Sequence, residues 1–408
     1  MDLGSVVKVN PEQARRDYPY EEIEYIDISS VGTGILLETK QLEFANAPSR
    51  AKRIVRNGDI ILATVRPNLR AFWFAQNIQD NTIASTGFAV LRANEKADSR
   101  FIYYTVTNQL FTDYLTANAK GAAYPAVDTE TIERADVHLP TLPIQRKIAA
   151  ILSAYDDLIE NNLRRIKILE EMAQNLYREW FVNFRFPGHE NTRFVDSPLG
   201  RIPEGWEVVR ATDAIYINPR ISVLKESVKP YVAMNGLSTD SMLISNVGER
   251  TGNSGSKYKN NDTLFARITP CLEHGKIGFV TFLPNDESVG LGSTEFIVLR
   301  SKTLCPEYVY FLARNEDFRD NAIKSMSGAS GRQRVQYTCF DNFYFAHPDS
   351  ETLLFFADIV RPYFHLIRLL ADKNVTLRQT LDILLPKLIS GEVDVSELDI
   401  KVPKEVSA

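Results

Sequence analysis

The chain has 408 residues, 44% of them apolar and 24% charged, with a formal net charge of −5. That length is too great for one compact core and points to two or three domains of ordinary globular composition. No run of 18 or more apolar residues occurs, which excludes a spanning helix, and the acidic balance excludes a strongly basic chain, so any nucleic-acid contact must rest on local clusters and on partners.

Short apolar runs bounded by turn residues come first. IVRNGDIILATV (54–65), AFWFA (71–75) and GFAVLR (87–92) read as β-strands, rich in β-branched and aromatic residues. Arg66-Pro-Asn68-Leu-Arg70 follows a strand directly and so belongs on a turn. FIYYTVTNQLFTDYLTA (101–117) has the apolar spacing of one helix, followed by the loop Lys120-Gly-Ala-Ala-Tyr124-Pro. From Pro143 to about Phe181 there is no internal Pro or Gly, and Pro143 suits a first helical turn, where its missing N–H costs nothing. Tyr155, Ile159, Asn162, Ile166, Leu169, Ala173, Leu176 and Trp180 keep a strict 4,3 rhythm, the 3.5-residue seam of a coiled coil.

The second half repeats the plan. VNPE (9–12) returns as INPR (217–220), NGDIILATVRPNL (57–69) as NNDTLFARITPCL (260–272), and STGFAVLR (85–92) as STEFIVLR (293–300). KGAAYPAV (120–127) aligns with SGASGRQRV (327–335), and PEYVYFLARNEDFRDNAIKS (306–325) reads as a second helix. The seam rhythm recurs at Tyr363, Ile367, Leu370, Asn374, Leu377, Leu381, Leu384 and Leu388. One near-constant offset of roughly 207 residues marks a tandem duplication of a whole unit, far longer than a solenoid repeat.

The expected fold is α+β: two similar α/β recognition domains separated by an antiparallel coiled coil of two long helices, with a pseudo-twofold internal repeat. The boundaries are 1–142, a central helix 143–186, 187–350, a distal helix 351–394 and a C-terminal tail 395–408. Each seam holds one asparagine, costly unless partnered. Setting Asn162 opposite Asn374 places Tyr155 on Leu381, Ile159 on Leu377, Ile166 on Leu370, Leu169 on Ile367, Ala173 on Tyr363 and Trp180 on Phe356. Pro362 is expected to kink the second helix near its start. A helix of about 38 residues spans roughly 57 Å, enough to set two half-sites a turn of B-DNA or more apart. The alternative is two helices each buried against its own globule.

No motif for chemistry is present. There is no GxxxxGK[ST], HExxH or GxSxG, and neither Asn-Pro is followed by the Pro-aromatic of an amino-methyltransferase base pocket. The five histidines are scattered, and no metal site is expected. Cys271, Cys305 and Cys339 form no CxxC, which fits a reducing cytosol and argues against zinc or a disulfide framework. The N-terminus lacks a signal-peptide core. A cytoplasmic, non-catalytic protein is the expectation.

Candidate DNA contacts are local. In the first domain they are Arg66, Asn68 and Arg70 on the turn, with Lys120 and Tyr124 on the loop. In the second they are Arg267, His274 and Lys276, with Arg332, Gln333 and Arg334. Arginine can take guanine O6 and N7 together, and asparagine adenine N6 and N7. The bland alternative is that these are solvated surface charges. Strand residues agree between the copies while the loops differ, AAYPA against SGRQR, as two readers of different half-sites would require.

LPTLPIQRKIAAILSAYDDLIENNLRRIKILEEMAQNLYREWFVNF resembles the central conserved helix of specificity subunits from type I restriction–modification systems. IPEGWEVV (202–209) is similar to the opening of a target recognition domain in that family, and LPKLISGEVDV (385–395) to the end of its distal conserved region. The resemblance spans essentially the whole chain, but the first half has no IPEGWE copy, so its first strand is missing or supplied differently. The resemblance implies a subunit that reads double-stranded DNA in two parts and docks two methyltransferase subunits and motor-nuclease restriction subunits. S-adenosylmethionine, ATP and Mg would then belong to those partners, with no cofactor in this chain. A duplicated protein-binding adaptor and a single-chain DNA methyltransferase are the rival readings.

Overall fold

The computed structural model describes residues 1–329 and 331–402. Ser330, in the second candidate loop, and positions 403–408 of the tail lie outside the described residues. The chain divides into two compact units: Met1–Ile159 with the chain from Thr376 onward, and Glu160–Val375. The central helix, Leu142–Tyr177, and the distal helix, Ser350–Ser390, each give one part to each unit.

Each unit carries two four-stranded sheets with the same strand order. In the first unit, one sheet runs Val7–Val9, Phe88–Ala93, Ile60–Ala63, Phe72–Phe74, and the other Lys40–Glu43, Glu22–Ile26, Thr82–Ser85, Ala51–Ile54. In the second they run Ile215–Ile217, Phe296–Ser301, Thr263–Ala266, Ile277–Phe279, and Gly248–Thr251, Val228–Val232, Gly290–Gly292, Ser256–Tyr258. Even the registers repeat. Ile60 faces Leu91 as Thr263 faces Leu299, and a parallel strand pairing sets Tyr25 beside Ile83 as it sets Tyr231 beside Leu291.

The central strands are continuous apolar runs because both of their faces are buried. Ile60, Leu62, Ala89 and Leu91 pack on the helical side with Phe101, Ile102, Ile148 and Leu152. Ile61, Ala63, Phe88 and Val90 point the other way, onto Ile26, Val55 and Ala84. The period of two recurs in the second unit, where Phe265, Ile297 and Leu299 lie in one core and Leu264, Phe296 and Val298 in another.

Two repeated motifs are turn and clamp devices. Asn10 and Asn218 adopt φ of 54° and 50°, and each side-chain oxygen accepts a strand N–H, from Val90 at 3.0 Å and Val298 at 2.9 Å. Asp59 and Asp262 are buried, and each accepts a forked pair of bonds from an arginine on the neighbouring strand, Arg92 and Arg300.

Each expected domain helix is in fact two. The first breaks at Asn108, between Ser99–Thr107 and Gln109–Asn118, and the second at Asn315, between Pro306–Arg314 and Glu316–Lys324. Apolar spacing carries through the break, but each asparagine is extended and its side chain caps the following helix, Asn108 from Phe111 N–H and Asn315 from Asp317 N–H. The missing first strand is also accounted for. In the second unit Glu207–Arg210 pairs with Tyr344–His347, whereas among the described residues of the first unit the bridge Asp2 to Asp136 stands at that place.

Within each unit the two long helices run antiparallel through their seam. Every seam residue is buried or half-buried, and Asn162 Nδ2 donates to Asn374 Oδ1 at 2.8 Å. The Trp180 and Phe356 rings lie 6.0 Å apart. The distal helix runs without a break across Pro362, from Ser350 to Ser390. Replacing Asn162 alone with leucine removes one hydrogen bond of the buried Asn374 amide and is expected to cost about 1–3 kcal/mol. The double change N162L/N374L should recover most of that loss. Thermal unfolding of the four variants of this cycle measures it; equal losses in single and double variants would contradict the pairing.

Candidate nucleic-acid interface

The turn and loop singled out in the first unit lie side by side. Pro67–Leu69 forms one tight turn between Arg66 and Arg70, both left-handed with φ of 50° and 54°. The loop closes by reciprocal bonds between Lys120 and Ala126, each 2.9 Å. Arg66 N–H to Pro125 O, at 2.7 Å, and Val127 N–H to Thr64 O, at 3.0 Å, join loop to turn. The Arg66 guanidinium sits 4.8 Å from the Tyr124 ring centre and donates to Ala123 O at 3.3 Å. A cation over an exposed ring is worth about 0.5–1 kcal/mol, enough to hold both side chains ready. Asn68 is exposed beside Leu69, and Tyr124 is 71% exposed.

Not every first-unit candidate is available. Arg70 turns inward, donating to Gln109 Oε1 at 2.5 Å and to Thr107 O at 3.0 Å, where it closes the end of a helix. Lys120 is paired with Asp128 at 3.1 Å but remains largely exposed.

The second unit builds the same frame with different contents. Ser327 and Arg334 exchange backbone bonds of 3.1 and 2.9 Å, and Thr269 N–H reaches Gln333 O at 3.1 Å, matching the Arg66 to Pro125 bond. Gly121 and Gly328 hold the same place, with φ of 104° and 127°. A Cβ on either would stand 3.2 Å from a loop carbonyl. Arg332 is exposed. Arg334 forks onto Glu295, with Nε 2.9 Å from Oε2 and Nη2 2.7 Å from Oε1. Arg267 Nε lies 3.5 Å from the same carboxylate, and its guanidinium covers the Tyr337 ring and bonds the Tyr337 hydroxyl. The two arginines hold the Glu295 carboxyl below its usual range, chiefly through the Arg334 hydrogen bonds. His274 is exposed on its own turn, and Lys276 donates inward to Met234 O at 3.3 Å. No contact among the described residues joins either of them to the loop.

A groove of about 640 Å³ opens beside this cluster, lined by Arg220, Ser222, Lys257, Thr294 and Tyr337 among others. Its sign is local to this unit. Arg220 stands where the first unit has Glu12, which is tied to Arg56 at 3.1 Å and to Arg92. The groove residues and Glu295 escape a reading of basic turns alone. Glu295 could have been found, because it replaces Gly87 inside the otherwise repeated STGFAVLR and STEFIVLR.

The motifs most suggestive of a family are structural. Trp206 of IPEGWEVV is buried, stacks on Phe186 at 5.3 Å and donates to Asp349 Oδ2 at 3.0 Å, and Asp349 in turn caps the distal helix at Thr352 N–H. Among the described residues no helix is long and apolar enough to cross a membrane.

Residues 1–171 match the family model described as a type I restriction modification DNA specificity domain. The chain is 24% identical over 356 residues to the type I restriction enzyme MjaIX specificity subunit of Methanocaldococcus jannaschii, covering 85% of this chain and 80% of that one. It is 21% identical to the MjaVIII specificity subunit of the same organism, over 95% of this chain and 89% of that one. The HindI specificity subunit of Haemophilus influenzae is 29% identical over 168 residues, 39% of this chain and 37% of that one. Among solved structures, the type I restriction–modification system S subunit from M. genitalium aligns with a TM-score of 0.57 at 13% identity, over 95% of each chain, a likeness of fold.

Proposed function

We propose that this chain is a specificity subunit of a type I restriction–modification system and that it reads a two-part DNA target, one half-site in each unit, as the non-catalytic member of its complex. The observation that carries this reading is the contrast between frame and contents. Strand order, register, closing loop bonds and loop glycines repeat, while Ala122–Pro125 and Gly331–Arg334 present different side chains. Duplication alone explains the repeated frame. Two loops that must recognise different base pairs explain why the difference falls on the exposed tips.

In this reading Arg66, Asn68 and Tyr124 face the first half-site, and Arg267, Arg332, Gln333 and Arg334 the second. Lys120 and His274 serve as flanking contacts, and Arg70 and Lys276 hold their turns in shape. The paired helices dock two methyltransferase subunits, which carry S-adenosylmethionine and methylate adenine in the cytoplasm. Motor-nuclease subunits that use ATP and Mg complete the restriction complex. This chain supplies the address and its partners the chemistry.

The groove beside the second loop is assigned to the DNA backbone. Arg220 and Lys257 are two positive charges spaced along an open groove, so each should neutralise about one phosphate. R220A and K257A are each expected to weaken binding of all duplexes alike and to reduce the slope of log K against log salt by about 1. Binding of the complex with its methyltransferase, titrated across salt concentrations on target and scrambled duplexes, measures this. A loss confined to the target sequence would contradict the phosphate role.

A further inference from the structure

Glu295 and Arg334 define a recognition device that the repeated frame does not require. The guanidinium is a planar fork with distinct donor edges. In this fold the Nε and Nη2 edge is occupied by one carboxylate, at 2.9 and 2.7 Å. The edge formed by Nη1 and the second Nη2 hydrogen carries no bond among the described residues. The backbone of Arg334 is fixed on both sides, through bridges to Ser327 and Ile268. The side chain is therefore held at its base and along one edge, and it is 41% exposed.

We propose that Glu295 is a positioning residue that aims the free edge of Arg334 at a guanine in the second half-site. This inference rests on the proposed reading of the second unit as a DNA reader. Three chemical points select guanine. The free edge offers two parallel N–H donors, so the ligand must offer two neighbouring acceptors. In the major groove guanine does so, through O6 and N7, whereas adenine pairs one acceptor with one donor. A phosphate also has two acceptors, but its negative charge is repelled by the Glu295 carboxylate a guanidinium away, while the neutral base edge is not. The anion thus lowers the phosphate affinity of this arginine and leaves its directional bonding.

Arg267 supports the arrangement. It shares the carboxylate at 3.5 Å and lies on Tyr337, so Glu295 is braced from a second side. The first unit has nothing equivalent: Gly87 occupies the position of Glu295 and Ala126 that of Arg334. The device therefore acts on one half-site alone.

The test maps methylated sites in cells that carry the full chain with its methyltransferase subunit, for the unaltered protein, E295Q and R334K. The second half-site is identified as the half that changes when residues 327–334 are exchanged. The expected result is a fixed guanine in that half. Preference for it should fall roughly tenfold in E295Q, which keeps the volume but frees the fork, and at least as far in R334K, which keeps the charge but lacks the fork. The other half-site should be unchanged in both variants, which a general loss of folding would not allow. An unaltered guanine preference in E295Q and R334K, an equal loss at both halves, or a second half-site without guanine would overturn the inference and leave the two-part reading standing. Absence of any split methylated motif with the unaltered protein would overturn that reading, and the inference with it.

Discussion

Replacing Asp262 with alanine is expected to lower the stability of the second unit by about 3 kcal/mol, the low end of the cost of breaking a buried ion pair from one side. Asp262 is fully buried and receives both Arg300 donors at 2.7 Å, together with Lys259 N–H at 2.7 Å. Burial pushes its carboxyl above the usual aspartate range, with Arg300 working against that shift, so the group is held at a desolvation cost that only its partners offset. Alanine would leave Arg300 without its ion pair and the Lys259 turn without its acceptor. The matching change in the first unit, Asp59→Ala, should cost less, because Arg92 retains Glu12. Thermal unfolding distinguishes the two: a loss of about 3 kcal/mol corresponds to roughly 6–12 °C for a domain of this size. Equal shifts for the two variants would show that the pairing of Arg92 with Glu12 contributes nothing.

Exchanging the loop tips carries the largest expected effect on function. When residues 327–334 are replaced by the sequence of Lys120–Ala126, the second unit loses Arg332, Gln333 and Arg334 together while the closing backbone bonds remain possible. Two bidentate base contacts are worth about 2–6 kcal/mol, so methylation of the original target should fall by roughly thirtyfold or more. The half-site proposed for Arg66, Asn68 and Tyr124 should keep its sequence. Sequencing the methylated sites of cells carrying the exchanged chain and its methyltransferase subunit checks both statements. A motif unchanged in both halves would remove the loops from recognition.

Much of this architecture is legible in the residues themselves. Duplication shows in the paired segments because strands buried on both faces tolerate few substitutions, and the helix register follows from two seam asparagines that need one another. The strict seam rhythm also predicts which side chains are withdrawn from solvent along both long helices. Other features leave weaker traces. Asn108 and Asn315 break their helices through side-chain caps, which apolar spacing does not register. The short first strand of unit one, reduced to the Asp2 to Asp136 bridge, has no length from which to be read.

The candidate interface was only partly visible. Placing Arg66 against Tyr124 and the turn against the loop requires contacts between residues far apart in the chain. Arg70 and Lys276 look like surface charges in sequence, yet both donate to backbone carbonyls inside their own unit. Glu295 is acidic and so is invisible to a search for basic groups, although its value lies in what it does to two arginines. Arg220 and Lys257 come from separate segments that meet only at the groove.

If each unit reads its own part of one divided target, exchanging one unit should alter one part alone. The most direct test maps methylated adenines in cells that carry this chain with its methyltransferase subunit, before and after residues 1–140 are replaced by the corresponding segment of a related specificity subunit. The expected motif has two parts with a fixed gap, of which one part changes and the other, with the gap, stays as it was. A continuous motif, or a replacement that alters both parts together, would contradict it.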